Sequence, residues 1–165
     1  MKSSAQAFID IRSLEPRDLS KIPAFFAGLG EKSRYFYHPY DFDGDAVALI
    51  GGQLGRDDCF HLGAFESGDG QRRMVGHVWY MPSGQNEYPV LGIAVIDELQ
   101  NARIGQKLML RIEEEARARK VPGICLTCYP ENLKALRVYV KRGYRIVGKN
   151  GRGHFQMERC FADDE

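Results

Sequence analysis

The stretch Val95–Met109, VIDELQNARIGQKLM, decides the fold. Val95 and Ile96 close an apolar run, Tyr88–Ile96 (YPVLGIAVI), that reads as a buried strand. A short loop follows, and from about Arg103 the period changes. Ile104, Leu108, Ile112 and Ala116 recur every four residues, which places them on one helical face. Glu113-Glu114-Glu115 and Arg117, Arg119 and Lys120 are expected to face water. A helix that opens just after a strand presents unpaired backbone N–H groups and the positive end of its dipole. Both favour an anion, and a pyrophosphate suits that geometry. Gly105, in the first turn, lets a ligand approach the backbone with no Cβ in the way. An ordinary crossover carries the same signs, so this stretch alone leaves both readings open.

Downstream, Val121-Pro122-Gly123 ends the helix. Ile124–Tyr129 reads as a strand, and Asn132–Arg142 as a helix closed by Gly143. Tyr144–Val147 and His154–Cys160 read as strands around the turn Lys149-Asn150-Gly151. Upstream, Ala7–Ile11 reads as a first strand and Pro16–Leu29 as a helical region disturbed at Pro23. Ser33–Phe42 is aromatic, and its His-Pro step discourages helix. A second helical stretch, capped by Asp45, runs to Leu54 and is weakened by Gly51-Gly52. Phe60–Glu66 and Met74–Met81 flank Ser67-Gly68-Asp69-Gly70, a hairpin signal. Strands alternate with helices only in the second half, so the expected fold is α/β of the α+β type with a mixed sheet.

Composition bounds the function. The chain has 165 residues, enough for one domain spanning 1–165, and is 44% hydrophobic and 27% charged, an ordinary globular balance. Its 23 Lys+Arg against 22 Asp+Glu leave +1, which argues against nucleic acid as a partner. No apolar run approaches the ~20 residues of a membrane helix, and no signal-peptide segment is evident, so a cytoplasmic location is expected. Cys59, Cys125, Cys128 and Cys160 include one C-x-x-C. It has no second ligand pair for zinc, and its strand setting points its thiols to opposite faces. Reduced structural thiols and no metal are expected.

A second block, CLTCYPENLKALRVYVKRGYRIVG, places Asn132, Ala135, Leu136 and Tyr139 on one helical face before Gly143-Tyr144. Together the two blocks resemble the GNAT superfamily of N-acetyltransferases. Its signature sets Q/R-x-x-G-x-G/A at a helix start after the fourth strand, then N-x-x-A-x-x-x-Y-x-x-x-G-F/Y. Here these read Gln100-Asn101-Ala102-Arg103-Ile104-Gly105 and Asn132, Ala135, Tyr139, Gly143-Tyr144. The resemblance covers residues 88–148 firmly. Arg103 departs from it by replacing the first glycine; its cationic arm either reaches a phosphate or points to solvent.

The resemblance implies a mostly antiparallel sheet, splayed between its fourth and fifth strands and flanked by about four helices. It implies acetyl-CoA as cosubstrate. The backbone of Ile93, Ala94 and Val95 would pair with the pantetheine arm, and the N–H groups of Gln100, Asn101, Ala102, Arg103, Ile104, Gly105 and Gln106 would hold the pyrophosphate. Asn132 would contact the pantetheine, and Tyr139 would sit beside the thioester sulfur as the acid for the leaving thiolate. Direct transfer to a primary amine in a ternary complex follows, and the alternative is a non-catalytic acyl-CoA sensor on the same scaffold. For the general base there are two candidates. Glu87 precedes the fourth strand and reads equally as a strand-end charge. His38, in the aromatic loop, titrates near neutrality and reads equally as a packing residue.

The acceptor is left among small amines, amino sugars and protein lysines, and a homodimer is left open. Tyr35, Phe36, Tyr37, His38 and Tyr40 suggest an aromatic acceptor site or core packing under a loop. Lys134, Arg137, Lys141, Arg142, Arg145, Lys149 and Arg152, with no acid among them, either meet the adenosine 3′-phosphate or form a solvated face.

Overall fold

The computed structural model describes residues 8–37, 42, 44–68, 71–84 and 86–164. Seven strands form one sheet: β1 (Phe8–Ser13), β2 (Phe60–Gly68), β3 (Gln71–Met81), β4 (Val90–Val95), β5 (Gly123–Cys128), β6 (Arg145–Lys149) and β7 (Phe155–Cys160). Their order is β1-β2-β3-β4-β5-β7-β6. Every neighbour pair is antiparallel except β4 and β5, which run parallel. The helices described are α1 (Ile22–Ala27), α2 (Glu31–Phe36), α3 (Gly44–Gln53), α4 (Ile104–Ala118) and α5 (Leu133–Lys141).

Successive residues of β3 address opposite faces of the sheet. On one face His77 meets the Phe25 ring of α1 edge-on. On the other, a Cβ added at Gly76 would lie 2.8 Å from Leu108 of α4. The four-residue apolar repeat of α4 is the reason: Ile104, Leu108, Ile112 and Ala116 are all buried.

The β4–β5 seam opens at once. The two strands share only the Val90–Cys125 register pair, with the Cys125 N–H donating to Pro89 O at 3.0 Å. Beyond it they part, as the resemblance implies. At the parting Gly92 faces the Trp79 indole so closely that a Cβ there would fall 2.2 Å from a ring carbon.

Several local expectations are corrected. Ser33–Phe42 was expected to avoid helix, yet α2 occupies Glu31–Phe36. The proline restraint acts only on the residue before it, so it does not reach back into that turn. The helical region expected over Pro16–Leu29 does change character next to Pro23: a 3-10 turn over Pro16–Lys21 gives way to α1, whose first turn holds Pro23, where its missing N–H costs no intrahelical bond. The hairpin positions Asp69 and Gly70 lie outside the described residues, although the register closes through Gly68–Gln71.

Glu113 is not solvated. It is 1% exposed and is gripped by Arg142, with Nε at 2.9 Å from Oε1, and by Arg159, with Nη1 at 2.6 Å from Oε2. All four cysteines are free, and burial pushes the Cys125 and Cys128 thiols up to about 11. No described helix is long and apolar enough to cross a membrane.

Candidate active site

The opening between β4 and β5 continues into a groove of about 670 Å³ bounded by the starts of α4 and α5 and by α2. Ile93, Ala94 and Val95 form one wall, and Thr127 and Cys128 the other. On its far edge β4 is fully laddered to β3, from Gly76–Val95 to Met81–Val90. On its groove edge, past Val90, it has no strand partner among the described residues. An unpaired strand edge of this kind accepts an extended ligand as an added strand.

At the end of the groove α4 begins. Arg103 stands at its N-cap with φ 62° and ψ 17°, the left-handed conformation that glycine adopts most easily. Arg103 therefore stands at the family's glycine position in a backbone shape that suits glycine. Among the described residues, the N–H groups of Arg103, Ile104, Gly105 and Gln106 have no backbone partner. The N–H of Gln100 is committed to Asp97 O at 3.4 Å and that of Ala102 to Leu99 O at 3.1 Å. The N–H of Asn101, between them, has no backbone partner among the described residues, so the free amides here are those of Asn101 and Arg103–Gln106, with the helix dipole behind the latter. A Cβ at Gly105 would meet only Val95, at 3.9 Å, so packing does not require glycine there.

Gln100 works as a brace. Its Nε2 donates to Ser33 Oγ at 2.9 Å and to Val95 O at 3.2 Å, while Ser33 donates to Asp97 at 2.5 Å. Lys134 of α5 spans the gap to Asn101 Oδ1 at 3.0 Å and brings a cation to the groove. Asn132 lines the groove and caps α5, its Oδ1 accepting from the Ala135 N–H at 3.3 Å. Tyr139 lines the groove from α5, 9% exposed, and burial followed by the nearby Cys128 pushes its phenol up. Such a phenol stays protonated across the physiological range and is available as a donor. Cys128 stays a neutral thiol, unsuited to act as a nucleophile.

The structure does not bring every predicted residue together. Glu87 is exposed in the bend before β4, away from the groove lining. His38 lies outside the described residues, as does Tyr40. Ala102 and Ile104 do not line the groove, and Ile104 is in the core. Three of the seven cations of the basic segment are engaged elsewhere: Arg142 on Glu113, Arg145 on Asp163 and Lys149 over Phe155. Residues not singled out from the sequence include Lys32, Ser33 and Tyr129, whereas Lys134, one of the seven cations, does reach the groove. Tyr129 stacks against His154 at 3.9 Å and against Tyr35 at 4.9 Å, joining α2 to the β5 end. Their aromatic character was visible, but their convergence depends on elements far apart in the chain.

Residues 12–144 match the model of the acetyltransferase (GNAT) family. The chain belongs to the GNAT family. It is an N-acetyltransferase of the acyltransferase class, in a family that uses acetyl-CoA. Solved GNAT structures share its fold. The GNAT domain of PAT from S. lividans superposes with a TM-score of 0.76 at 20% identity, over 92% of this chain and 89% of that one. The PaiA N-acetyltransferase of Thermoplasma acidophilum, solved with coenzyme A, gives 0.71 at 18% identity over 93% and 99%. Spermidine N-acetyltransferase of Vibrio cholerae, with CoA and spermine, gives 0.72 at 19% identity over 93% and 96%. Among curated proteins none matches this GNAT chain.

Proposed function

We propose that residues 1–165 act as one N-acetyltransferase domain that moves an acetyl group from acetyl-CoA to a primary amine by direct attack in a ternary complex. The observation that carries this reading is the set of unpartnered amides, Asn101 and Arg103–Gln106, at the end of a groove whose wall also holds the Tyr139 phenol. These residues fit acetyl-CoA. The amides and the α4 dipole bind the pyrophosphate, the free edge of Ile93–Val95 orients the pantetheine, and Lys134 adds a cation. Acetyl-CoA supplies an activated acyl carbon when bound. A β4 backbone N–H at the splay polarises the carbonyl, and the Tyr139 hydroxyl donates its proton to the departing sulfur.

The acceptor enters from the side of Phe36, Tyr37 and Tyr129. It is a small amine, an amino sugar or a protein lysine, and the choice is set by that aromatic rim or by a partner subunit, a homodimer included. The test is CoA-thiol release over a panel of such amines. Turnover with one of them is expected; tight acetyl-CoA binding with no turnover on any would instead identify an acyl-CoA sensor.

Two substitutions examine the residue roles. Tyr139→Phe should lower kcat by about 100-fold, within the range of general acid catalysis, and leave acetyl-CoA affinity in place. An undiminished rate would remove its acid role. Arg103→Ala keeps the backbone N–H and deletes the arm. It should weaken acetyl-CoA binding by about tenfold if the arm reaches a phosphate, as one charged hydrogen bond implies. Unchanged affinity in calorimetry would assign the arm to solvent.

A further inference from the structure

Behind the groove a row of hydrogen-bonded side chains crosses the sheet face covered by α1. Trp79 Nε1 donates to Tyr37 Oη at 3.0 Å. Tyr37 Oη lies 3.3 Å from His77 Nδ1, His77 Nε2 lies 3.0 Å from His61 Nδ1, and His61 Nε2 lies 3.0 Å from Gln53 Oε1. Tyr37 borders the groove beside Ala94, the register partner of His77. His77 is fully buried, His61 is 3% exposed, and Gln53, at the end of α3, is half-buried.

The acceptor and donor roles resolve from the Gln53 end. Its Nε2 donates to Met81 Sδ at 3.7 Å, which leaves Oε1 to accept from His61 Nε2–H. His61 Nδ1 then accepts from His77 Nε2–H, and His77 Nδ1 accepts from the Tyr37 hydroxyl. The donors of Tyr37, His77 and His61 all point from the groove toward Gln53.

We propose that Tyr37, His77 and His61 are a buried relay that carries the proton of the acceptor ammonium out of the groove. This rests on the acetyl-transfer reading above. The ammonium N–H bond breaks and its proton joins Tyr37 Oη. The Tyr37 hydroxyl proton passes to His77 Nδ1, the His77 Nε2 proton to His61 Nδ1, and the His61 Nε2 proton leaves to water at the Gln53 end. One proton is moved and every group ends neutral, with the row reversed in polarity. Rotation of the Gln53 amide then offers His61 Nε2 a donor instead of an acceptor, and gives up the Gln53–Met81 contact. The amine left behind is the nucleophile that aminolysis requires.

The surroundings suit a conduit. Phe25 of α1, Tyr37, Gln53 of α3 and Trp79 of β3 face the two rings, and among the described residues no carboxylate or cation contacts either of them. Burial pushes His61 down to about 4 and His77 well below its ordinary value, so neither ring holds a resting charge at pH 7. A proton would pass through without being trapped.

The test begins with nitrogen-15 NMR of histidine-labelled wild-type protein. His61 and His77 are expected neutral and protonated on Nε2 from pH 6 to 9; a proton resting on His77 Nδ1, or an imidazolium at pH 7, would overturn the relay. The second readout is acetyl transfer to an amine turned over in the panel, from pH 6 to 10. Tyr37→Phe and His77→Asn should lower kcat at pH 7 by about 10- to 100-fold, the usual reach of proton-transfer assistance, with KM for acetyl-CoA unchanged. The deficit should vanish above the pKa of the amine, where no proton remains to be removed. A deficit of equal size at every pH would mean a structural role and end the proposal. A panel with no turnover at all would remove the parent reading, and the relay with it, whatever the NMR shows.

Discussion

Replacing Glu113 with glutamine is expected to lower the melting temperature by about 10 °C while leaving the secondary structure recognisable. The carboxylate is 1% exposed and holds two guanidinium groups, Arg142 and Arg159, whose side chains are 24% and 15% exposed. Removing one member of a buried ion cluster strands the others, at a cost of roughly 3–5 kcal/mol. The lower end applies here, because both arginines retain some water contact and Arg159 also reaches Asp164 at 2.9 Å. About 3 kcal/mol corresponds to a shift of roughly 6–12 °C in a domain of this size. The damage should also reach the site. Glu113 ties α4, which opens at the amides proposed to bind the pyrophosphate, to Arg142 at the end of α5, the helix that Asn132 caps and that carries Tyr139. Weaker acetyl-CoA binding should therefore accompany the lower melting temperature in calorimetry. A shift under about 2 °C would show that the cluster contributes less than 1 kcal/mol.

Gly105→Asp should separate the two roles of the α4 N-terminus by moving them in opposite directions. The site is open: an added Cβ meets only Val95 at 3.9 Å, and the residue is half-buried on the groove side. In the first turn an aspartate gains helix propensity over glycine and interacts favourably with the dipole, together about 0.5–1.5 kcal/mol. Thermal stability should hold or rise. The same carboxylate would stand where the pyrophosphate is expected. Two like charges some 4 Å apart at a partly screened site repel by about 4 kcal/mol. Acetyl-CoA affinity should accordingly fall by at least about 100-fold. Retained affinity in the folded variant would remove the α4 amides from the cofactor site.

Much of the fold and of the groove is legible in the amino-acid sequence, for local reasons. The period change at Arg103, the helix from Asn132 and its stop at Gly143 each depend on a few neighbouring residues. Glu113 is not legible in that way. It sits in a run of three glutamates, and its partners lie 29 and 46 residues further along the chain. Burial of such a charge is decided by tertiary pairing that no helical pattern records. The His61–His77 pair is hidden for the same reason, since strand pairing alone brings the rings together. The division of the loop amides into spent and free ones, Gln100 and Ala102 against Asn101 and Arg103–Gln106, depends on the turn geometry itself.

The most direct measurement of the central claim is an amide NMR titration of the wild-type GNAT protein with coenzyme A. The account predicts that the largest shift changes fall on the N–H groups of Arg103, Ile104, Gly105 and Gln106, together with those along Ile93–Val95. Saturable binding whose perturbations centre on another surface, or no change at these amides at millimolar ligand, would contradict it.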